Sequence, residues 1–261
     1  YTCALITGAS AGLGEEFVKQ LLGRVDQFVL VARRLDRLEH TSNEIQKSHP
    51  DTKVMVVAVD VSNPEERFLL GKKLGDAGLV PDLLINNAGL GNSGSFESMP
   101  FSFYHGQMQL NMCSLVGLTH RFLPVLKNQN RGYVLNVASM AAFYDVPYKS
   151  IYAATKRFVL SFSRSLNKEL EDSNVSVSVL CPGGVLTNDD VKKRTQELGL
   201  VARKSALLPE EVATYALKQV LKGKQVIVPG RLTRIVKFFG KFIPYRVQLN
   251  MMANEFIKNS R

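Results

Sequence analysis

Tyr152 and Lys156 stand four residues apart in a stretch of helical periodicity, so both side chains fall on one helical face. A phenol with its ordinary pKa near 10 is a poor base at neutral pH. A neighbouring ammonium favours the phenolate. Each tenfold gain in acidity takes about 1.4 kcal/mol of differential interaction, which one partly buried charge can supply. A tyrosine tuned in this way gives a proton to a carbonyl oxygen or takes one from an alcohol. Ser139 closes an apolar run a little earlier and could donate a hydrogen bond to the same oxygen as charge develops. Alone, Tyr-x-x-x-Lys is a common helix-surface pair, so its weight depends on the elements that carry it.

Those elements alternate. Short apolar runs predict strands at Cys3–Thr7, Phe28–Ala32, Val54–Val59, Leu83–Asn86, Gly132–Val137, Val175–Leu180 and Gln225–Val228. Between them, helical periodicity covers Gly12–Leu22, Leu35–Lys47, Pro64–Asp76, Phe103–Lys127, Ile151–Glu171 and Pro209–Lys222. Strands apolar on both faces are buried between helices. The alternation predicts an α/β doubly wound Rossmann fold, an about seven-stranded parallel sheet with helices on both faces. Ligands of such sheets sit beyond the carboxyl ends of the strands. Ser139 falls at such an end, and Tyr152 and Lys156 in the helix after it. With no repeat and no linker-like tract, residues 1–261 read as a single domain.

The first strand runs into Thr7-Gly8-Ala9-Ser10-Ala11-Gly12-Leu13-Gly14. Glycines there permit a tight turn and close approach to a pyrophosphate, which meets the free N–H groups of the next helix. The residue ending the second strand reads the adenosine ribose. An NAD site places an acid there; this chain has Arg33 and Arg34. A guanidinium binds a 2′-phosphate bidentately, whereas a carboxylate would repel it, so NADP(H) is expected over NAD. Asp36 reads as a solvated first-turn residue. Asp60 and Val61 follow the third strand, where a carboxylate and adjacent backbone could meet an adenine.

Taken together, the chain resembles the short-chain dehydrogenase/reductase family, in its compact single-domain type. The resemblance runs from Thr7 to about Val228. It rests on Thr7-Gly8-x-x-x-Gly12-x-Gly14, Asn86-Asn87-Ala88-Gly89, Ser139, Tyr152-x-x-x-Lys156 and Pro182-Gly183-Gly184-Val185-x-Thr187. The resemblance implies a fourth catalytic residue at Asn111, holding a water that links Lys156 to solvent. It implies that Tyr152 and Lys156 also meet the nicotinamide ribose, that Asn87 braces the central strands, and that Ala88 and Gly89 line the cofactor. Val185 and Thr187 would hold the carboxamide, and Pro182 and Gly183 would also contact the cofactor. It further implies a homodimer or homotetramer. The expected activity is interconversion of a carbonyl and a secondary alcohol, working as a reductase on a small molecule.

Composition narrows the classes. The 261 residues carry 45% hydrophobic and 21% charged side chains, a globular balance. Nothing approaches an uninterrupted run of roughly 18 apolar residues, and Tyr1–Thr7 reads as a strand and not as a signal peptide. Cys3, Cys113 and Cys181 lie apart among apolar residues and read as buried thiols of a reducing, cytoplasmic compartment. No metal-ligand spacing occurs, so no metal is expected. The net charge of +10 comes without a nucleic-acid motif or a long basic run, and no nucleic-acid partner is expected. Residues 188–208 read as a lid over the substrate. Met140, Phe143, Tyr144, Val146 and Tyr148 suggest an apolar substrate, or core packing. The segment 231–261 interleaves basic and apolar residues and could lie on a membrane surface, cover the pocket or form a subunit interface. A non-catalytic NADP-binding sensor is the competing reading; such a protein would dispense with Tyr152 or Lys156, and this one keeps both.

Overall fold

The structure is a computed structural model and describes residues 1–187, 200–240 and 242–257. Seven strands form one parallel sheet in the order β3-β2-β1-β4-β5-β6-β7. They are β1 (Cys3–Thr7), β2 (Gln27–Ala32), β3 (Lys53–Ala58), β4 (Leu83–Asn86), β5 (Gly132–Val137), β6 (Val175–Leu180) and β7 (Val226–Ile227). The order reverses between β1 and β4, which opens a crevice beyond their carboxyl ends. The central strands are buried throughout because both faces are covered.

On one face lie α1 (Gly12–Leu21) and α2 (Leu35–Ser48); on the other, α3 (Pro64–Asp76) and α5 (Ser114–Lys127). Phe17, Val18 and Leu21 of α1 meet Ala4, Ile6 and Leu30 of the sheet. Leu70, Leu74, Leu118 and Phe122 meet the alternate strand residues Leu5, Val29 and Leu84. The strand period of two sends successive residues into opposite cores. α3 opens with Asn63 accepting from the backbone N–H groups of Glu65 and Glu66, with Pro64 as its first residue.

Two elements depart from the periodicity. The helix expected over Phe103–Lys127 is three pieces: α4 (Phe101–Met108), a π-helical turn at Gln109–Cys113, and α5. The wider turn breaks the register and turns Asn111 inward, where it is buried. Cys113, expected to be buried, is exposed on the other side of that turn, whereas Cys3 and Cys181 are buried as expected. The tail also forms two helices. α6 (Ser150–Glu169) carries Tyr152 and Lys156, and after it come α7 (Leu200–Ser205), α8 (Pro209–Val220), α9 (Arg231–Gly240) and α10 (Tyr245–Ile257). Of the lid expected over 188–208, residues 188–199 lie outside the described residues.

Candidate active site

The turn after β1 shows why its glycines stand where they do. Gly8 and Gly12 adopt φ of 67° and 59°, in the left-handed region that favours glycine. A Cβ on Gly14 would lie 2.1 Å from the Gly8 carbonyl oxygen, so only glycine lets α1 begin this close to the turn. A Cβ on Gly12 would come within 3.1 Å of the Thr187 methyl, so the turn and the segment after β6 face each other closely. Thr7 ties the turn to β4: its hydroxyl accepts from the N–H groups of Asn87 (3.0 Å) and Ala88 (3.1 Å). The Asn87 amide donates back to the Thr7 carbonyl at 3.0 Å. Residue type alone does not mark Thr7 as this brace.

A cleft of about 420 Å³ opens over this turn. Gly8, Ser10, Gly12, Leu13, Arg33, Arg34, Asp60, Val61, Asn87, Ala88, Gly89 and Thr187 line it. Gly14 lies behind the turn. Leu110 lines the cleft too, a contact that follows from the π turn and had no signal in residue type. At one end Arg34 donates to the Ser10 hydroxyl at 3.3 Å, and Arg33 stands 3.9 Å from the Asp60 carboxylate. Asp60 spends its other oxygen on the Ser62 N–H (2.9 Å) and hydroxyl (2.7 Å), capping its own turn. Cationic donors, left-handed glycines and close backbone fit a dinucleotide phosphate; a Cβ at Gly12 would narrow the passage they leave.

Ser139, Tyr152, Lys156 and Asn111 come together beside the cleft, next to Gly89. A Cβ on Gly89 would lie 3.4 Å from both the Asn111 Oδ1 and the Lys156 Nζ. Ser139 caps the short 3₁₀ turn Met140–Phe143, its hydroxyl accepting from the Ala141 N–H. Lys156 is buried and donates to the Val137 carbonyl at 2.9 Å, with Nζ 5.8 Å from the Tyr152 ring centre. The Asn111 amide closes a bidentate pair with the backbone of Leu90 (2.8 and 2.9 Å) and donates to the Thr155 hydroxyl at 3.1 Å.

The electrostatics correct one expectation. Helical spacing alone predicts an ammonium that lowers the Tyr152 pKa. Within the protein, burial raises the Tyr152 pKa, with Ser139 opposing it. Burial likewise pushes Lys156 down to about 8. Desolvation penalises the charged form of each group, and the ammonium is engaged by a backbone carbonyl and not by the phenol oxygen. The phenol therefore keeps its proton, the state required of an acid. Cys181, beside Lys156, is pushed by burial up to about 12 and stays a thiol.

Beyond β6, the Pro182 carbonyl accepts from the Met140 N–H at 2.8 Å, which fixes Ser139 against the strand end. Gly183 packs near Thr233 of α9, and Val185 pairs with Leu207. Tyr144 and Val146 are buried with Ala153 in a small cluster. Tyr148 holds φ of 64°, an uncommon conformation for a non-glycine residue.

The profile of the short chain dehydrogenase family matches residues 2–198. The chain belongs to that family. Among relatives of this short-chain dehydrogenase, an uncharacterized oxidoreductase of Staphylococcus saprophyticus is 32% identical, over 82% of this chain and 89% of its own. A very-long-chain 3-oxoacyl-CoA reductase of Mycosarcoma maydis is 29% identical over 82% of this chain, which spans 60% of that longer protein. Among solved structures, a 7beta-hydroxysteroid dehydrogenase superposes with a TM-score of 0.86 at 24% identity, covering 97% of this chain and 96% of that one, a likeness of fold. A short-chain dehydrogenase from Sphingobium yanoikuyae in complex with NADPH gives 0.78 at 27% identity, covering 93% and 94%. The family makes this chain an oxidoreductase of the NAD(P)-dependent type.

Proposed function

We propose that this short-chain dehydrogenase reduces the carbonyl of a small apolar molecule to a secondary alcohol with NADPH, Tyr152 giving the proton. The observation that carries the reading is the convergence of Tyr152 with the buried Lys156, whose Nζ lies 5.8 Å from the Tyr152 ring centre, and with Asn111 at Gly89. In this reading Gly8, Ser10, Gly12 and Leu13 cradle the pyrophosphate at the start of α1, with Gly14 setting the helix close. Arg33 and Arg34 take the 2′-phosphate, and Asp60 and Val61 border the adenine. Asn87, Ala88 and Gly89 line the middle. Tyr152 and Lys156 hold the second ribose, and Pro182, Gly183, Val185 and Thr187 the carboxamide. The cofactor, when bound, supplies the hydride.

The chain's own residues supply the proton and the oxygen site. The Ser139 hydroxyl holds the carbonyl oxygen and stabilises charge as it grows. The protonated phenol of Tyr152, kept so by burial, passes its proton to that oxygen. Lys156, cationic below pH about 8, stabilises the phenolate that remains until it is reprotonated. Asn111 fixes the Leu90 backbone that covers the site, and Gly91 packs against the Tyr152 ring. NADPH-bound and carbonyl-reducing relatives support the reading. Its test is fluorescence titration of NADPH and NADH into the wild type and Arg33→Ala. The proposal expects tighter NADPH binding, weakened by roughly tenfold or more in the variant, as loss of a charge-assisted contact implies. Equal affinity for the two cofactors would remove the Arg33 argument.

A further inference from the structure

The surface helix α9 is inside out. An ordinary surface helix turns its apolar stripe to the core. Here the inner face is Thr233 and Gly240, both buried, with the Val236 carbonyl accepting from the Tyr144 hydroxyl at 3.0 Å. The outer face, at the i, i+4, i+7 spacing, is Arg231, Ile235 and Phe238, flanked by Arg234 and Phe239. Phe238, Phe239 and Phe242 are 57%, 60% and 72% exposed. Their rings meet edge to face, with ring centres 5.3 and 5.7 Å apart. Tyr245, Val247 and Met251 continue the exposed apolar surface along α10. Exposing so much aromatic surface is unfavourable unless something covers it.

The charge around the patch says what covers it. From Arg231 to Asn254 the sequence carries five Lys and Arg residues and no Asp or Glu. A charge equal to half the net +10 therefore lies in this stretch. A second copy docking face to face would bring like charges together, which opposes a self-interface. A layer of anionic headgroups over hydrocarbon complements both features: cations meet phosphate, and aromatic rings enter the headgroup boundary. Among the described residues, no helix is long and apolar enough to cross a membrane, so the helix would lie on the surface. We propose that α9 and the start of α10 form a docking surface for an anionic phospholipid bilayer. Through Tyr144, α9 is tied to the segment between Ser139 and Tyr152, so docking sets that segment near the lipid. The inference stands apart from the catalytic reading: loss of vesicle binding would leave turnover in solution unexplained by it and unaffected.

Sedimentation of the full chain with vesicles tests it. We expect pelleting with phosphatidylcholine vesicles containing about one third phosphatidylglycerol, release as salt is raised, and at least roughly tenfold weaker binding to phosphatidylcholine alone. The triple variant Phe238→Ser, Phe239→Ser, Phe242→Ser removes only exposed rings, so its melting curve stays that of the wild type while its vesicle affinity falls about tenfold or more. The variant Arg231→Gln, Arg234→Gln, Arg246→Gln keeps the rings and loses the preference for anionic vesicles. No binding to either vesicle overturns the proposal, as does a triple-serine variant that binds like the wild type. So does light scattering in which the serine substitutions split a dimer that never pelleted with lipid; the patch is then a contact between copies.

Discussion

At the scale of single residues, burial sets the chemistry. Desolvation raises the Tyr152 pKa, so the phenol stays protonated. Replacing it, Tyr152→Phe, removes the proton donor and leaves the ring; turnover should fall by about a hundred- to ten-thousandfold while NADPH binding persists. Steady-state kinetics beside a fluorescence titration separates the two. Lys156 makes a prediction about stability. Its folded pKa of about 8 lies below the ordinary 10.5, so the unfolded chain holds more protons between those values. Burying the ammonium thus costs most below pH 8, on the order of 3 kcal/mol, and the cost fades as pH rises toward 10.5. Denaturant unfolding of wild type and Lys156→Met should show the wild type gaining on the variant over that range. A difference that is flat in pH would contradict the assignment. Tyr152, Lys156 and Ser139 were legible because residue type and helical spacing carry them. The direction of the Tyr152 shift was not, because only the fold reveals that the ammonium binds the Val137 carbonyl.

At the scale of elements, two joints hold the cleft. One is the turn between β1 and α1. Gly14→Ala would place a methyl against the Gly8 carbonyl and push α1 off the turn. Overpacking of this kind costs about 1–3 kcal/mol, and the variant should melt lower and bind NADPH poorly; unchanged melting would show that the turn yields. The other is the π turn at Gln109–Cys113. Asn111→Ala would strand the Leu90 N–H and carbonyl, costing about 1–3 kcal/mol. The sheet order, the strand ends and most helices follow from period-two and period-3.6 patterning. The π turn does not, since a single widened turn leaves the composition of a helix intact, and it carries with it the burial of Asn111, the exposure of Cys113 and the position of Leu110. The basic tail was legible as amphipathic, but periodicity cannot tell which face meets the protein. In α9 it is Thr233 and Gly240, and the phenylalanines face outward.

At the scale of the whole molecule, Arg33 and Arg34 line one end of the cleft, and Lys156 and Tyr152 stand beside it, Lys156 next to Gly89 of its lining. Under the proposed function, cofactor choice rests on charge at one end and proton transfer on burial beside the other, so the two should fail independently. Arg33→Ala is expected to weaken NADPH without changing the chemical step at saturation, and Tyr152→Phe to do the reverse. The measurement that bears most directly on the account is NADPH oxidation by the wild type and Tyr152→Phe across a panel of apolar ketones, with NADH in parallel. Turnover by the wild type that prefers NADPH, and its collapse in Tyr152→Phe with NADPH still bound, is the predicted result. Turnover that survives in Tyr152→Phe would contradict the assignment of the proton donor, and NADPH binding without turnover of any ketone would contradict the reductase itself.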